Sequence, residues 1–301
     1  MSSILINRAP IRNKPWGGGA QFVNAFYDNA KQNGFSVVNR LSDKPDYLFL
    51  FHPDPDELRI GIDEIYRHSK LHGTKVISRV NECDARKGTV GVDKLWLDIG
   101  SISNHSIFVS DWMRSYYEEL DWNSKSSNVI WNGVSKERFV QLKKLSDENK
   151  KINIVCAHWS DNEKKGQKVY EFLDDFVSKN DDFTFTFIGR TKANLPNSSL
   201  VPPLSPEDLA VELTRYDICV NGTVADPGPN AVIESITAGL PTYVHSSGGG
   251  ACEFAGADHL FTTSKELETL LLKRQFENNL THFDEWDIVM QKVFATIKDS
   301  K

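Results

Sequence analysis

The chain has 301 residues, 40% hydrophobic and 25% charged, with a formal net charge of −6. This balance fits an ordinary soluble globular protein and excludes a disordered chain, a fibrous repeat and a general nucleic-acid binder, which needs clustered Lys and Arg. At this length hydrophobic cores tend to split, so two domains are expected.

Apolar character near the start is confined to Ile4, Leu5 and Ile6, too short for a secretory signal, and no apolar run is long enough to span a bilayer. Cys83, Cys156, Cys219 and Cys252 lie far apart and make neither a zinc pattern nor a disulfide framework. These features predict a cytoplasmic protein.

Short apolar runs alternate with amphipathic segments, the pattern of parallel strands joined by crossover helices. Strands are expected near Ser3 to Asn7, Phe35 to Asn39, Asp46 to Phe51, Lys75 to Ser78, Ser106 to Ser110 and Asn128 to Ile130. The polar "KKLSDENKK", Lys143 to Lys151, has no apolar period and reads as a linker.

Beyond it the alternation restarts, with strands at Ile152 to Ala157, Phe183 to Ile188, Asp217 to Asn221 and Thr242 to His245. Helices are expected near Gly166 to Ser178, Pro206 to Arg215 and Ala231 to Ala238. The tail from Phe283 to Lys298 carries Trp286, Ile288, Val289, Val293, Phe294 and Ile297 at helical spacing, and such a helix needs a partner surface. The expected domains are 1–147 and 148–301, with the last helix (about 283–301) able to pack back on the first. Ligands of such folds bind beyond the carboxyl ends of the strands.

Four loops there carry candidate chemistry. "KPWGGGAQFVNAF" places Gly17, Gly18 and Gly19 before a helix, where positive φ and exposed amides would admit an anion or a sugar hydroxyl. "CAHWSDNEKKGQKV" puts Lys164 and Lys165 at a helix entrance suited to a diphosphate; equally, Ser160 and Glu163 can form a capping box with the lysines facing water. In "ADPGPNAVIESITAGLP" a Pro/Gly loop leads into a helix with Asn230 or Gly228 as N-cap, so that the amides of Ala231 to Ile233 suit a phosphate. Glu234 can accept two hydrogen bonds from a vicinal diol such as a ribose, and Asp226 can hold sugar hydroxyls; the plainer alternatives are a dipole-complementing Glu234 and an Asx-turn at Asp226. In "SRVNECDARKGT", Arg79, Asn81, Asp84 and Arg86 can serve acceptor recognition or simply a solvated loop.

These segments resemble the GT-B glycosyltransferases, in particular the retaining family 4 type. Asp226 to Glu234 is similar to that family's acid-x7-Glu motif, with "ESITAGLPTYV" following, and "VIWNGVSKERF" (Val129 to Phe139), "KKG" (Lys164 to Gly166) and "GGGACEF" (Gly248 to Phe254) match further elements in the same order. The resemblance implies an α/β fold of two Rossmann-like, doubly wound parallel-sheet domains facing a central cleft, the first binding acceptor and the second a nucleotide sugar.

By that resemblance Glu234 binds the ribose, Asn230, Ala231 and Val232 offer amides to the phosphates, Lys165 neutralises the departing diphosphate and Asp226 holds the donor sugar. Gly228, Arg190 and Asn221 complete the donor-binding set. Gly17 to Gly19, Arg79, Asn81 and Asp84 form the acceptor side. Where the family commonly has an arginine after the first strand of the second domain this chain runs Ala157, His158, Trp159, so His158 would be a weaker, pH-dependent cation. Aspartate for the usual first glutamate is one methylene shorter.

The implied activity is transfer of a sugar from a UDP, GDP or ADP sugar to a hydroxyl acceptor (glycan, lipid-linked or small molecule), with retention and in polysaccharide biosynthesis. No cofactor or metal is expected: "HPDPDE", His52 to Glu57, reads as a loop whose Pro55 and Asp56 start the helix carrying Leu58, Ile62 and Ile65. Peripheral membrane contact fits some relatives, although the acidic balance does not call for it. A sugar-nucleotide epimerase of the same fold and a catalytically weak nucleotide-sugar binder are the alternatives.

Overall fold

The computed structural model describes residues 1–12, 17–53, 61–139 and 151–300. The chain divides into two compact units: 1–13, 18–133 and 284–301 form the first, 14–17 and 134–283 the second. Most of the expected linker, with Asp54 to Glu57 and Leu58 of the metal-like loop, lies outside the described residues.

The first unit runs β1 (Ser2–Ile6), α1 (Gly18–Ala30), β2 (Phe35–Val38), β3 (Tyr47–Leu50), α2 (Ile62–His72), β4 (Lys75–Val80), α3 (Asp84–Lys87), α4 (Val92–Ile102), β5 (His105–Phe108), α5 (Asp111–Glu118) and β6 (Ser127–Val129). Its strands pair in parallel in the order β2-β1-β3-β4-β5-β6. Both faces are covered, which is why the strands read as continuous apolar runs. The two-residue period sorts them: Ile4, Ile6 and Phe49 enter one cluster, while Leu5, Leu48 and Leu50 enter the other with Trp96, Met113 and Tyr117 from α4 and α5.

The second unit runs β7 (Ile152–His158), α6 (Gln167–Lys179), β8 (Phe183–Gly189), β9 (Ser199–Val201), α7 (Pro206–Leu213), β10 (Ile218–Asn221), α8 (Asn230–Thr237), β11 (Thr242–His245), α9 (Gly250–Ala255), β12 (Leu260–Phe261) and α10 (Ser264–Lys273). Its sheet is also parallel, in the order β12-β11-β10-β7-β8-β9. Ile154, Phe185 and Phe187 pack against Tyr170, Leu173 and Phe176 of α6. Local chemistry sets the helix ends. Ser205 caps α7 by accepting the Asp208 amide at 3.1 Å, with Pro206 in its first turn, and Thr263 and Glu266 form a capping box on α10.

The last helix, α11 (Trp286–Asp299), belongs to the first unit and fills its core with Trp286, Val289, Met290, Val293, Phe294 and Ile297. Phe294 stands 4.7 Å from Phe26 of α1 and 5.0 Å from Phe35, ring centre to ring centre. Ile288, which fits the same helical spacing, faces outward and is 38% exposed. Gly133, where the chain leaves this unit, is pressed onto the helix: a Cβ there would stand 2.9 Å from the Trp286 Cα. Among the described residues no helix is long and apolar enough to cross a membrane.

Candidate functional site

In the second unit the carboxyl ends of β7, β8, β10 and β11 present four loops at one edge of the sheet. Backbone hydrogen bonds tie three of them together. Val224 donates to the Lys164 carbonyl at 2.7 Å, Ala225 to Ser247 at 2.8 Å and Asp226 to Gly248 at 3.1 Å, while Gly250 donates back to Asp226 at 2.9 Å. Asp226 and Gly249 thereby form an isolated parallel bridge, and Ala225 adopts a positive φ of 50°.

Two glycines let the loops approach. Gly166 (φ 100°) opens α6, and a Cβ there would lie 2.7 Å from the Gly222 carbonyl carbon. Gly189 (φ 122°) ends β8, and its Cβ would lie 1.8 Å from the His158 carbonyl oxygen. No side chain fits either position.

Lys165 ends a single 3₁₀ turn, Glu163–Lys165, and its ammonium is ion-paired with Asp226. The capping chemistry differs from the expected Ser160–Glu163 box: Asn162 caps this turn by accepting the Lys164 amide at 2.9 Å, because the chain is not yet α-helical at Glu163. Asp226 also meets the Thr223 hydroxyl and the Gly228 amide, each at 3.4 Å, the latter being the Asx-turn contact.

Helix α8 starts one residue away from either expected cap. Pro229 occupies the N-cap with no side-chain bond, and its carbonyl accepts the Val232 amide at 3.1 Å and the Ile233 amide at 3.4 Å. Val232 and Ile233 are thus committed to the first turn, which leaves Asn230 and Ala231 at the helix mouth. Gly239, at φ 80°, ends the helix as expected. Glu234 sits in its second turn and is 7% exposed, and Asn230 and Asn221 are also buried.

His158 is buried at the end of β7, with its Nε2 2.5 Å from the Tyr170 hydroxyl. That hydroxyl also accepts the Gly222 amide at 3.2 Å. Burial raises the Tyr170 pKa well above its ordinary value, so the phenol stays neutral. Beside His158 lies Arg190, whose guanidinium stands 4.5 Å above the Trp159 ring and whose amide donates to the His158 carbonyl at 3.1 Å.

Lys165, Arg190 and Lys192 line one shallow depression together with Ser160, Asn162 and Tyr170. Two acids on α6 fix the loop behind it. Buried Asp174 accepts the Asn197 amide at 2.9 Å and the Ser198 hydroxyl at 2.6 Å, and Glu171 accepts the Asn194 amide at 3.4 Å. Sequence reasoning missed Tyr170, Asp174 and Lys192; the available signal was a polar aromatic and an acid on the core face of an amphipathic helix.

Of the acceptor-side candidates Gly17 falls in the second unit and the others in the first, and those others have engagements of their own. Gly17, Gly18 and Gly19 are not among the glycines with positive φ: Gly18 and Gly19 form the first turn of α1, and a Cβ at Gly19 would touch the Phe51 ring at 3.4 Å. Arg79 has no exposed surface. Its guanidinium lies 4.1 Å above the Phe22 ring and donates to the Ile130 carbonyl at 3.3 Å and the Asn132 side chain at 2.8 Å. Burial pushes its pKa down to about 9. Asp84 accepts the amides of Gly91 at 2.9 Å, Val92 at 3.1 Å and Asp93 at 3.1 Å, so it caps α4 across a loop. Asn81 is half-buried and donates to the Phe51 carbonyl at 3.2 Å, and Arg86 reaches Glu82 at 3.7 Å.

Among the described residues no group of three or more His, Cys, Asp or Glu side chains is arranged to hold a metal ion.

Neither a protein-family model nor a curated protein matches the sequence. Solved structures do match the fold. HepE from Anabaena, solved in complex with UDP and glucose, has a TM-score of 0.73 at 11% identity over 99% of this chain and 100% of its own. A sucrose-phosphate synthase from Thermosynechococcus elongatus has a TM-score of 0.69 at 13% identity over 99% and 98%. MnaA from S. aureus, solved with UDP, has a TM-score of 0.60 at 11% identity over 99% and 96%. At such identities the likeness is one of fold, and the fold is GT-B: two doubly wound parallel units in one chain.

Proposed function

We propose that the second unit binds a nucleoside diphosphate sugar and that the chain transfers the sugar to a hydroxyl acceptor. The observation that carries this reading is one sheet edge holding three cations, Lys165, Arg190 and Lys192, around a depression, with two buried carboxylates, Asp226 and Glu234, on the adjoining loop and helix. Cations beside a helix entrance suit a diphosphate, and buried carboxylates suit hydroxyls.

In this reading Glu234 accepts the ribose hydroxyls, the amides of Asn230 and Ala231 face the phosphates, and Lys165 with Arg190 takes up the charge of the leaving diphosphate. His158 has its Nε2 at the Tyr170 hydroxyl, so Arg190, braced on Trp159, supplies the second positive charge. Asp226 holds a hydroxyl of the transferred sugar.

The bond between the anomeric carbon and the β-phosphate oxygen breaks and one to the acceptor oxygen forms, with retention, while the acceptor proton leaves with the diphosphate. Charge stabilisation on the leaving group lowers the barrier. UDP is the favoured nucleotide because solved structures of this fold hold it. Asn81, Gly18 and Gly19 are the residues of the first unit retained as acceptor candidates.

The test is thermal stabilisation of the purified protein by UDP, GDP, ADP and their sugars, which tight ligands raise by mass action. Stabilisation by one nucleotide family, abolished in Glu234→Ala, is the expected result. An unchanged shift in that variant removes Glu234 from the ribose role. Transfer of labelled sugar to an added glycan separates a transferase from an epimerase or a binding protein.

A further inference from the structure

Lys165 and Asp226 pair inside the second unit, with 14% and 3% of their side chains exposed. Arg190 and Lys192, the other two cations of the depression, have no carboxylate partner among the described residues. One cation of the three is therefore balanced by a group of the protein itself, and that group is the carboxylate best placed for the sugar. The Asp226 carboxylate also meets the Thr223 hydroxyl and the Gly228 amide, each at 3.4 Å.

We propose, on the reading that this edge binds a nucleoside diphosphate sugar, that Asp226 is an internal counter-ion which the diphosphate displaces. Two anions beside one ammonium repel each other, so arrival of the diphosphate at Lys165 pushes the carboxylate off. Asp226, released, accepts a hydroxyl of the sugar. The two ends of the donor are engaged in sequence, and the sugar contact exists only once the diphosphate is seated. Breaking the pair costs affinity for the nucleotide alone, and the sugar contact returns part of that cost, so the device favours UDP-sugar over spent UDP.

Calorimetric titration of the full chain with UDP and with UDP-glucose tests this in wild type, Asp226→Asn, Lys165→Ala and the double variant. In Asp226→Asn the counter-ion is gone and Lys165 stays charged. Its unliganded melting temperature is expected to fall, since a buried cation has lost its partner. Its affinity for UDP is expected to rise about tenfold, or about 1.4 kcal/mol. The advantage of UDP-glucose over UDP is expected to disappear. In the Lys165→Ala background the Asp226→Asn gain in UDP affinity is expected to vanish, which identifies the pair as its source. Asp226→Ser serves if the Asn variant does not fold.

Wild-type binding of UDP together with weaker or unchanged binding by both Asp226 variants would overturn the counter-ion role while leaving the nucleotide reading standing. Absence of UDP, GDP and ADP binding in wild type would overturn both.

Discussion

The Tyr170 hydroxyl stands 2.5 Å from the Nε2 of His158 and accepts the Gly222 amide at 3.2 Å, so one oxygen joins β7, α6 and the residue after β10. Tyr170→Phe keeps the ring and removes that junction, leaving a buried amide and imidazole short of a partner. A loss of about 1–2 kcal/mol is expected. Thermal denaturation reads it, and UDP should stabilise the variant less than wild type because the Gly222 loop is no longer held against α6.

Gly189→Ala is expected to be the most damaging single methyl in the second unit. The added carbon would lie 1.8 Å from the His158 carbonyl oxygen at a φ of 122°, so β7 and β8 must part at the edge that carries Arg190. The cost is about 3 kcal/mol or more, from strain and overpacking together. Gly166→Ala, facing the Gly222 carbonyl carbon at 2.7 Å, moves Lys165 as well. Both should lower the melting temperature, and a variant with unchanged melting would contradict the close approach.

Asp84 supplies a pH-dependent share of stability. Burial pushes its pKa up, but hydrogen bonds from the amides of Gly91, Val92 and Asp93 and from Thr89 outweigh that and hold it below the ordinary value of 3.8. The folded state therefore favours the carboxylate. Its contribution is complete above the unfolded pKa and fades as pH falls through the folded one. Asp84→Ala is expected to cost about 1 kcal/mol near neutral pH, as for loss of a partly exposed cap. Urea denaturation at neutral pH and below the folded pKa should show the gap between wild type and variant closing in acid.

Arg79 is a buried cation that meets no carboxylate among the described residues; Phe22, the Ile130 carbonyl and Asn132 hold it. Arg79→Ala opens a cavity and strands two acceptors, for an expected loss of about 3 kcal/mol. Arg79→Met keeps the bulk without the buried charge and should recover most of that loss. Nucleotide-induced stabilisation should be retained in both, since the nucleotide site proposed above lies in the second unit.

The strands were legible because sheets covered on both faces demand uninterrupted apolar runs, as in Leu48 to Leu50 and Phe185 to Ile188. β9 and β12 escaped notice because they are edge strands of three and two residues, too short for any period. The acid-loop-helix order around Asp226 and Glu234 was readable from Pro and Gly punctuation. The cap was not: proline fixes its own φ near the value this start needs, and Pro229 took the position expected of Asn230 or Gly228.

Arg79 is the penultimate residue of β4 and Asp84 opens α3 just beyond it, so both stand near the carboxyl edge of the sheet. Whether a side chain turns inward depends on neighbours distant in sequence, Phe22 and Asn132 for Arg79, and no spacing encodes them. The same holds for His158, whose partner Tyr170 is twelve positions away on a helix.

The aromatic seam between α1 and α11 has a consequence for biosynthesis. Phe26 and Phe35 of the first unit are covered by Phe294, which a ribosome adds only after residues 134–283. Residues 134–283 can close their own sheet before that helix emerges, whereas the amino-terminal half must wait with oily surface bare. Of the two units, the one begun earlier closes later, and nascent chains halted before Trp286 should be the form that chaperones hold.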